Sequence, residues 1–356
     1  MIEQGRNIGG KKGYWIGGLL VLLVAAAILG IFWWQKGGST ESAGLTGENG
    51  TAFAEDVVIQ VGDKKVAREE IMFYVLCVRE QYEGYFGSEV WAVDFGNGKT
   101  FADMCKEDIL NEIVQLKVIT SMAESQGVLV TEDEADEIAD TVREQMEEIS
   151  DYDILRYHID TELLESIYHD NYLSSKIFDV ITSDVDTMVS DDEARQAELQ
   201  VLALLTDGTD KNRNEIAMTE AERAAIGEKA KELWEQAEEG ADFESLATVH
   251  SDLAETSFII GRGDWKEEYD RAIFDEAAFS LKTGEISEVI DGPHGFYIIR
   301  CVNELDEDAT AQAKEEIINE RQDTAFRKLY AEWAKEFEVK VDEKKWSEIT
   351  FETPEE

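Results

Sequence analysis

Hydrophobic residues are distributed unevenly along this chain. One uninterrupted apolar run, residues 14–34, contains no charged side chain. A helix of that length rises about 30 Å, which matches the hydrocarbon core of a bilayer. Trp15 lies near one end of the run and Trp34 at the other, where amphipathic rings favour the headgroup level. The pattern predicts one membrane-spanning helix.

The charges that flank this run predict its orientation. Arg6, Lys11 and Lys12 precede it, whereas no basic residue occurs between Lys36 and Lys64. The positive-inside bias places residues 1–13 in the cytoplasm and the bulk of the chain outside the cell membrane. The alternative is a cleaved signal peptide, whose apolar core is usually about 7–15 residues. The greater length of this run favours an uncleaved single-pass anchor.

Beyond a linker rich in Gly, Ser and Thr at residues 35–55, the pattern is mainly helical. Capping-box patterns stand at Thr131-x-x-Glu134 and Thr219-x-x-Glu222. Predicted helices begin near Arg68 and cover residues 104–126, 162–180 and 309–337. Two isolated strands, 57–61 and 339–341, need hydrogen-bonding partners, so we expect them to pair with each other.

The pattern changes near residue 197. A buried strand is predicted at 199–205, then a polar loop at 207–214, helices at 219–240, 242–249 and 272–281, and strands at 286–290 and 295–302 around a turn. The fold class is therefore α+β: a helical domain built from residues 56–194 and 305–346, an inserted unit at 195–304, and an acidic tail at 347–356.

The segment 82–101 is rich in glycine and aromatic residues and is predicted to be a loop. Its rings either pack as part of the core or form an exposed apolar surface that binds other polypeptides. The pattern alone leaves both interpretations open.

Charge and cysteine content exclude some classes of function. The chain has 33 Lys and Arg against 79 Asp and Glu, a net charge of −46, which disfavours nucleic acid as a partner. Three scattered cysteines are too few for a disulfide scaffold. A bridge between Cys77 and Cys105 remains an alternative to two free thiols. The four histidines show no metal-ligand spacing, so no metal site is predicted.

Several strings in the inserted unit, in order and spacing, resemble the parvulin-type peptidyl-prolyl isomerase domain. They are GADFESLA at 240–247, HSD at 250–252, FDEAAFSLKTGEIS at 274–287 and GFYII at 295–299. VGDKKVAREE at 61–70, QGVLVT at 126–131 and the strand at 339–342 resemble the flanking regions of the PrsA/SurA kind of secretion foldase.

This resemblance implies an extracytoplasmic foldase or chaperone that assists the folding of exported polypeptides. Its partners would be unfolded chains and X–Pro segments, whose isomerisation is slow because the barrier is about 18–20 kcal/mol. No cofactor is implied. Such a domain grips the proline ring in an apolar pocket and favours the twisted amide.

The resemblance also implies a site, and the chain departs from it. The two family histidines fall at or near Val201 and at Tyr297. The family Cys or Asp position falls at Leu253 or its neighbour Asp252. Phe274, the aromatic floor of the proline pocket, is kept. Apolar types are also kept at two further pocket positions, Phe279 and Ile299.

The apolar frame of the pocket is thus retained and its polar network is not, which predicts weak or lost isomerase activity. In one alternative the chain is a fully active isomerase in which Asp252 and Tyr297 act as catalytic groups. In a second alternative it is a non-catalytic scaffold for one specific partner. The helix-rich domain also leaves a homodimer open.

Overall fold

A computed structural model describes residues 56–96, 98–209, 212, 215–265 and 270–351. Within these ranges, no helix has both the length and the apolar character needed to cross a membrane. The predicted tail at 1–13, membrane helix at 14–34 and linker at 35–55 lie outside the described residues. The described residues form two compact units: residues up to Asp184 together with those from Ala325 onward, and residues Val185–Thr324.

The elements, in chain order, are these: β1 (Val57–Val61), β2 (Lys64–Ala67), α1 (Arg68–Phe86), a 3-10 helix (Ser88–Ala92), α2 (Phe101–Ser125), α3 (Glu132–Glu148), α4 (Asp151–Tyr157), α5 (Thr161–Thr182), α6 (Asp191–Ala194), β3 (Ala197–Leu205), β4 (Asp207–Thr209), β5 (Glu215–Ala217), α7 (Glu220–Glu238), α8 (Phe243–His250), β6 (Ser257–Ile260), α9 (Arg271–Ala278), β7 (Ile290–Gly292), β8 (Gly295–Asn303), α10 (Glu307–Trp333), a 3-10 helix (Ala334–Glu336), β9 (Val339–Val341) and α11 (Glu343–Ser347).

The predicted pairing of the two terminal strands is confirmed. β1 lies between β2 and β9 in an antiparallel sheet, with Ile59 opposite Val341 and Val61 opposite Val339. These residues are buried in a core that continues into α1, α2 and α5. The first unit is therefore closed by backbone hydrogen bonds between segments that are distant in sequence.

Both predicted capping boxes are present. The Thr131 hydroxyl accepts from the Glu134 amide while the Glu134 carboxylate accepts from the Thr131 amide, and Thr219 and Glu222 do the same. Each box satisfies N–H groups that the first helical turn leaves without an intrahelical partner.

The prediction of a loop over 82–101 is wrong in part. α1 continues to Phe86 and a 3-10 helix follows. Trp91 holds this segment against the core. Its indole N–H donates to Glu83 at 2.7 Å, and its ring stacks on Phe351 with the ring centroids 4.3 Å apart. Because Phe351 and its neighbour Ile349 are buried, the unit extends past residue 346, and the tail predicted at 347–356 is wrong for residues 347–351.

An ionic cluster is buried in the helical core of the first unit. The Lys117 ammonium lies 2.8 Å from a Glu70 carboxylate oxygen and 2.7 Å from an Asp170 oxygen, joining α2 to α1 and α5. All three residues are buried. One cation thus compensates two carboxylates that water hardly reaches, and burial still raises the pKa of Glu70.

All three cysteines of the chain are free, so the alternative of a Cys77–Cys105 bridge is wrong. Both side chains pack with the helical core. Burial raises the pKa of each thiol to about 12, which keeps it protonated at neutral pH. They therefore pack as small apolar residues.

The second unit contains a four-stranded antiparallel sheet with the order β6-β3-β8-β7. Alternate residues of β3 face two different cores. Val201 and Ala203 pack in a cluster with residues of α9, whereas Leu202 and Leu204 pack with residues of α7 and α8. Burial on both faces is the reason that the β3 sequence is almost continuously apolar.

Two features of this unit differ from prediction. The polar loop predicted over 207–214 begins with the short strand β4, which pairs with β5 just beyond it, and Ile216 of β5 packs against the core. The strand predicted at 286–290 is observed at Ile290–Gly292 as β7; Ser287 instead exchanges two hydrogen bonds with Ile299, one through its amide and one through its hydroxyl. The compact unit spans Val185–Thr324, within which Arg321 of α10 binds Glu193 and the backbone of Asp186.

Glu112 of α2 makes the stability of the first unit depend on pH. Burial, and the charge of Asp108 one turn away, raise its pKa to about 7. Between pH 4.5 and 7 the folded state then binds more protons than the unfolded state, so the free energy of unfolding falls as pH rises.

Glu112→Gln is expected to stabilise the unit by about 1–2 kcal/mol at pH 8 and to have little effect at pH 5; the full shift is discounted because Glu112 is partly exposed. Urea unfolding at the two pH values measures this difference. Glu144→Gln, on the exposed face of α3, is the control. Equal effects of Glu112→Gln at both pH values would contradict the assignment.

Candidate functional site

Antiparallel pairing of β3 with β8 aligns the sheet positions of the candidate site. Val201 lies opposite Ile299, and Ala203 lies opposite Tyr297. The structure brings all the predicted pocket residues into one buried apolar cluster, namely Val201, Leu253, Phe274, Phe279, Tyr297 and Ile299. Residues that are up to about a hundred positions apart in sequence thus share one face of the sheet.

Phe274, on α9, is completely buried, and the ring that covers it is Trp265. The two rings are stacked with centroids 3.9 Å apart and planes 3° from parallel. Phe258 of β6 packs edge-on against Trp265 at 5.3 Å. The Arg271 side chain donates to the Trp265 carbonyl at 2.6 Å and holds its backbone. The face of Phe274 that stacks on the indole is therefore unavailable to another ring.

The sequence patterns did not single out Trp265. The available signal was an aromatic residue directly after the string Gly261-Arg262-Gly263-Asp264. In the structure Asp264 accepts a hydrogen bond from the Gly261 amide at 2.7 Å, which closes a turn just before Trp265. The residue after this turn, Trp265, stacks on Phe274 of α9.

Tyr297 is buried, and its hydroxyl donates to the Asp270 carboxylate at 3.2 Å. The same Asp270 oxygen accepts from the His294 amide at 3.1 Å. Asp270 has a positive φ of 63°, an uncommon backbone conformation for a residue other than glycine. The His294 ring lies 2.8 Å from Asp207, and this hydrogen bond raises the pKa of the imidazole. Asp270 therefore holds the Tyr297 hydroxyl and the turn before β8.

Asp252 and Ser251 complete the hydrogen bonding of β3 where its pairing with β6 ends. The Asp252 carboxylate accepts from the Leu205 amide at 2.9 Å, and the Ser251 hydroxyl oxygen accepts from the Ala203 amide at 3.1 Å. Both groups satisfy backbone donors that a regular neighbouring strand would otherwise satisfy. The HSD string thus has a clear structural role, since it extends the edge of the sheet.

Phe279 lies near two guanidinium groups. Arg262 is 4.7 Å and Arg195 is 5.5 Å from the centre of its ring, and both distances are within cation–π range. Arg195 also donates to the Phe279 and Glu304 carbonyls. These contacts fix the C-terminal end of α9.

Within the described ranges, no three His, Cys, Asp or Glu side chains converge in a geometry that would hold a metal ion. The candidate site is a filled apolar cluster that contains stacked rings and one hydrogen-bonded tyrosine.

Comparison with known families agrees with this architecture. The rotamase family, described as the PPIC-type PPIase domain, matches residues 204–303. The SurA-like N-terminal domain family matches residues 1–148. The first match covers β6, β7, β8, the end of β3 and every candidate site residue except Val201, and the second covers β1, β2 and α1 to α3 of the helical unit.

Curated relatives are similar over most of the chain. A foldase protein PrsA from Caldanaerobacter subterraneus subsp. tengcongensis is 24% identical over 80% of this chain and 86% of its own length. A foldase protein PrsA from Halalkalibacterium halodurans is 28% identical over 65% of this chain and 71% of its own. The crystal structure of the peptidylprolyl isomerase PrsA from Bacillus cereus is 17% identical over 73% of this chain and 96% of its own, with a TM-score of 0.34.

The two family matches and the curated relatives lead to one conclusion. The chain combines a SurA-like N-terminal domain with a parvulin-type PPIC isomerase domain, and it is similar to foldases named PrsA.

Proposed function

We propose that this chain is a membrane-anchored extracytoplasmic chaperone that binds unfolded segments of exported polypeptides and has weak or no prolyl isomerase activity. The observation that carries the second part is the stack of Trp265 on Phe274. Phe274 corresponds by resemblance to the floor of the proline pocket. A ring already seated on that floor excludes the substrate proline.

The polar groups of the site support the same proposal. The catalytic alternative assigns the chemistry to Tyr297 and Asp252, but Tyr297 donates to Asp270 and Asp252 accepts from a backbone amide. Tyr297 has a single O–H donor and would have to leave Asp270 before it could donate to a substrate amide, while Asp252 is oriented towards the Leu205 amide. Groups that stabilise a transition state are effective when they are already oriented towards it.

The membrane anchor and the domain limits are part of the proposal. Residues 14–34 would cross the membrane once, with residues 1–13 in the cytoplasm and residues 35–55 as a flexible tether. The isomerase-like domain would be inserted, with limits near residues 195 and 304, into a chaperone domain made from both ends of the chain. Its partners would be unfolded chains, including X–Pro segments.

Proline isomerisation kinetics test the proposal directly. The full-length chain in detergent is expected to leave the cis–trans rate of a proline tetrapeptide unchanged, within about twofold of the uncatalysed rate. Trp265→Ala would uncover Phe274 and is expected to allow measurable binding of the same peptide, while Trp234→Ala, on α7, is the control. Circular dichroism checks that both variants are folded.

A rate enhancement of several orders of magnitude by the unaltered chain would overturn the weak-isomerase proposal. Such activity, if removed by Tyr297→Phe, would favour the catalytic alternative. Suppression of aggregation of several unrelated unfolded proteins is expected for a chaperone. Suppression of the aggregation of one protein only would favour the scaffold alternative.

A further inference from the structure

The first unit exposes large apolar side chains at the C-terminal end of α1, in the segment that follows it, and on α4. Tyr85 and Phe86 are 85% and 67% exposed, Phe95 is 60% exposed, and on α4 Leu155 is 77% exposed. Tyr152, also on α4, and Val93 are exposed as well. We call these six side chains the apolar rim: Tyr85, Phe86, Val93, Phe95, Tyr152 and Leu155.

Buried and half-buried side-chain contacts hold the elements that carry the apolar rim together. Arg79 of α1 binds Tyr157 of α4 and pairs with Glu83 at 2.9 Å, and Glu83 accepts from the indole of Trp91. Phe95 packs 6.1 Å from Phe101. The exposed side chains therefore belong to an ordered surface, and so many exposed rings usually mark a binding surface.

The surroundings of the apolar rim are acidic. The stretches 80–95 and 151–155 contain six Asp and Glu residues and no Lys or Arg. The neighbouring arginines already have partners, since Arg79 pairs with Glu83 and Arg156 lies over the Tyr152 ring. Burial and the charge of Asp153 raise the pKa of Glu80. Negative charge at this surface is thus only partly compensated within the unit.

We propose that the apolar rim binds extended segments of unfolded polypeptides in which apolar residues alternate with Lys or Arg. Such segments would pair their cations with the surrounding carboxylates and place their apolar side chains on the exposed rings. This rests on the proposed chaperone function and names its preferred client class. Residues 37–55 of the chain itself do not fit, because they contain Glu41, Glu48 and Glu55 and no basic residue.

The binding of two labelled twelve-residue peptides to the full-length chain in detergent tests the proposal. They share the same Phe and Leu positions, but one carries four Lys and the other four Glu. Fluorescence anisotropy is expected to show at least tenfold tighter binding of the Lys peptide at low salt. The preference should shrink several-fold in 0.5 M salt, because salt screens exposed charges.

Matched variants test whether the peptides bind at the apolar rim. Glu80→Gln/Glu89→Gln/Asp151→Asn is expected to remove most of the Lys preference, whereas the equal charge change Asp133→Asn/Glu137→Gln/Glu144→Gln on α3 is not. Tyr85→Ser/Phe86→Ser/Leu155→Ser is expected to weaken binding of the Lys peptide at least tenfold. The apolar control is Leu129→Ser/Val180→Ser, which removes exposed apolar side chains outside the apolar rim.

The outcomes separate this proposal from the chaperone function. Equal binding of both peptides, or binding that survives the rim variant, overturns the proposal and leaves a chaperone that binds elsewhere. Binding of neither peptide, together with no suppression of aggregation, overturns both. Self-association that the rim variant abolishes, seen by analytical ultracentrifugation, would assign the surface to a second copy of the chain and also overturn the proposal.

Discussion

Lys117→Met is expected to lower the free energy of unfolding of the first unit by about 3–5 kcal/mol, the usual cost of removing one partner from a buried ion pair. Lys117 is only 4% exposed and contacts both Glu70 and Asp170 within 2.8 Å. Without the ammonium, two buried carboxylates face each other with no compensating cation. The loss should be greater at pH 8 than at pH 5, since protonation relieves the unpaired charges.

Urea unfolding, with hydrogen exchange of the α2 amides as the local probe, measures this loss. Lys231→Met is the matched control, because its pair with Glu228 lies on the exposed surface, where an ion pair contributes little to stability. The triple variant Lys117→Met/Glu70→Gln/Asp170→Asn should recover part of the stability by removing the charges. A loss below 1 kcal/mol in Lys117→Met would contradict the role of the cluster.

Gly295→Ala is expected to destabilise the second unit by about 2–3 kcal/mol, a typical cost of overpacking. A Cβ atom at Gly295 would lie 2.6 Å from the Leu204 carbonyl oxygen and 3.1 Å from the Leu205 Cα. Both are backbone atoms, so no side-chain rotation relieves the clash. Relief requires β8 to move away from β3, which would disturb the alignment of Tyr297 with Ala203.

Gly84→Ala is the matched control for this substitution. Gly84 lies inside α1, and a Cβ there meets no atom within 4 Å. Alanine should therefore be neutral or stabilise the helix by about 0.5–1 kcal/mol. Thermal unfolding and hydrogen exchange of the β3 and β8 amides distinguish the two. Retained protection in Gly295→Ala would show that the strands have room to adjust.

These features are consistent with different roles for the two units. In the second unit, Trp265 stacks on Phe274 within the apolar cluster that we propose to correspond to an isomerase pocket. In the first unit, exposed rings lie among acidic residues on an ordered framework. The surface available for client binding would then be in the helical unit, with the isomerase-like fold kept as a stable insert.

Much of the fold was accessible from the sequence because its signals are local. The capping boxes at Thr131 and Thr219 depend on contacts between residues three positions apart, which the sequence displays directly. The pairing of β1 with β9 followed from the need of isolated strands for partners. The positions of Phe274 and Tyr297 were implied by the resemblance to the parvulin-type domain, and the structure places both in one cluster.

The sequence by itself determined the α+β class, the caps, the closure of the helical unit by its terminal strands and the apolar character of the pocket frame. Only the tertiary structure decided that Trp265 covers Phe274, that Asp270 holds the Tyr297 hydroxyl, and that Lys117 meets an acid 53 residues away. The physical reason is distance along the chain. Caps and periodicity are encoded within a few residues, whereas the partner of a buried ring or charge is selected by how whole elements pack.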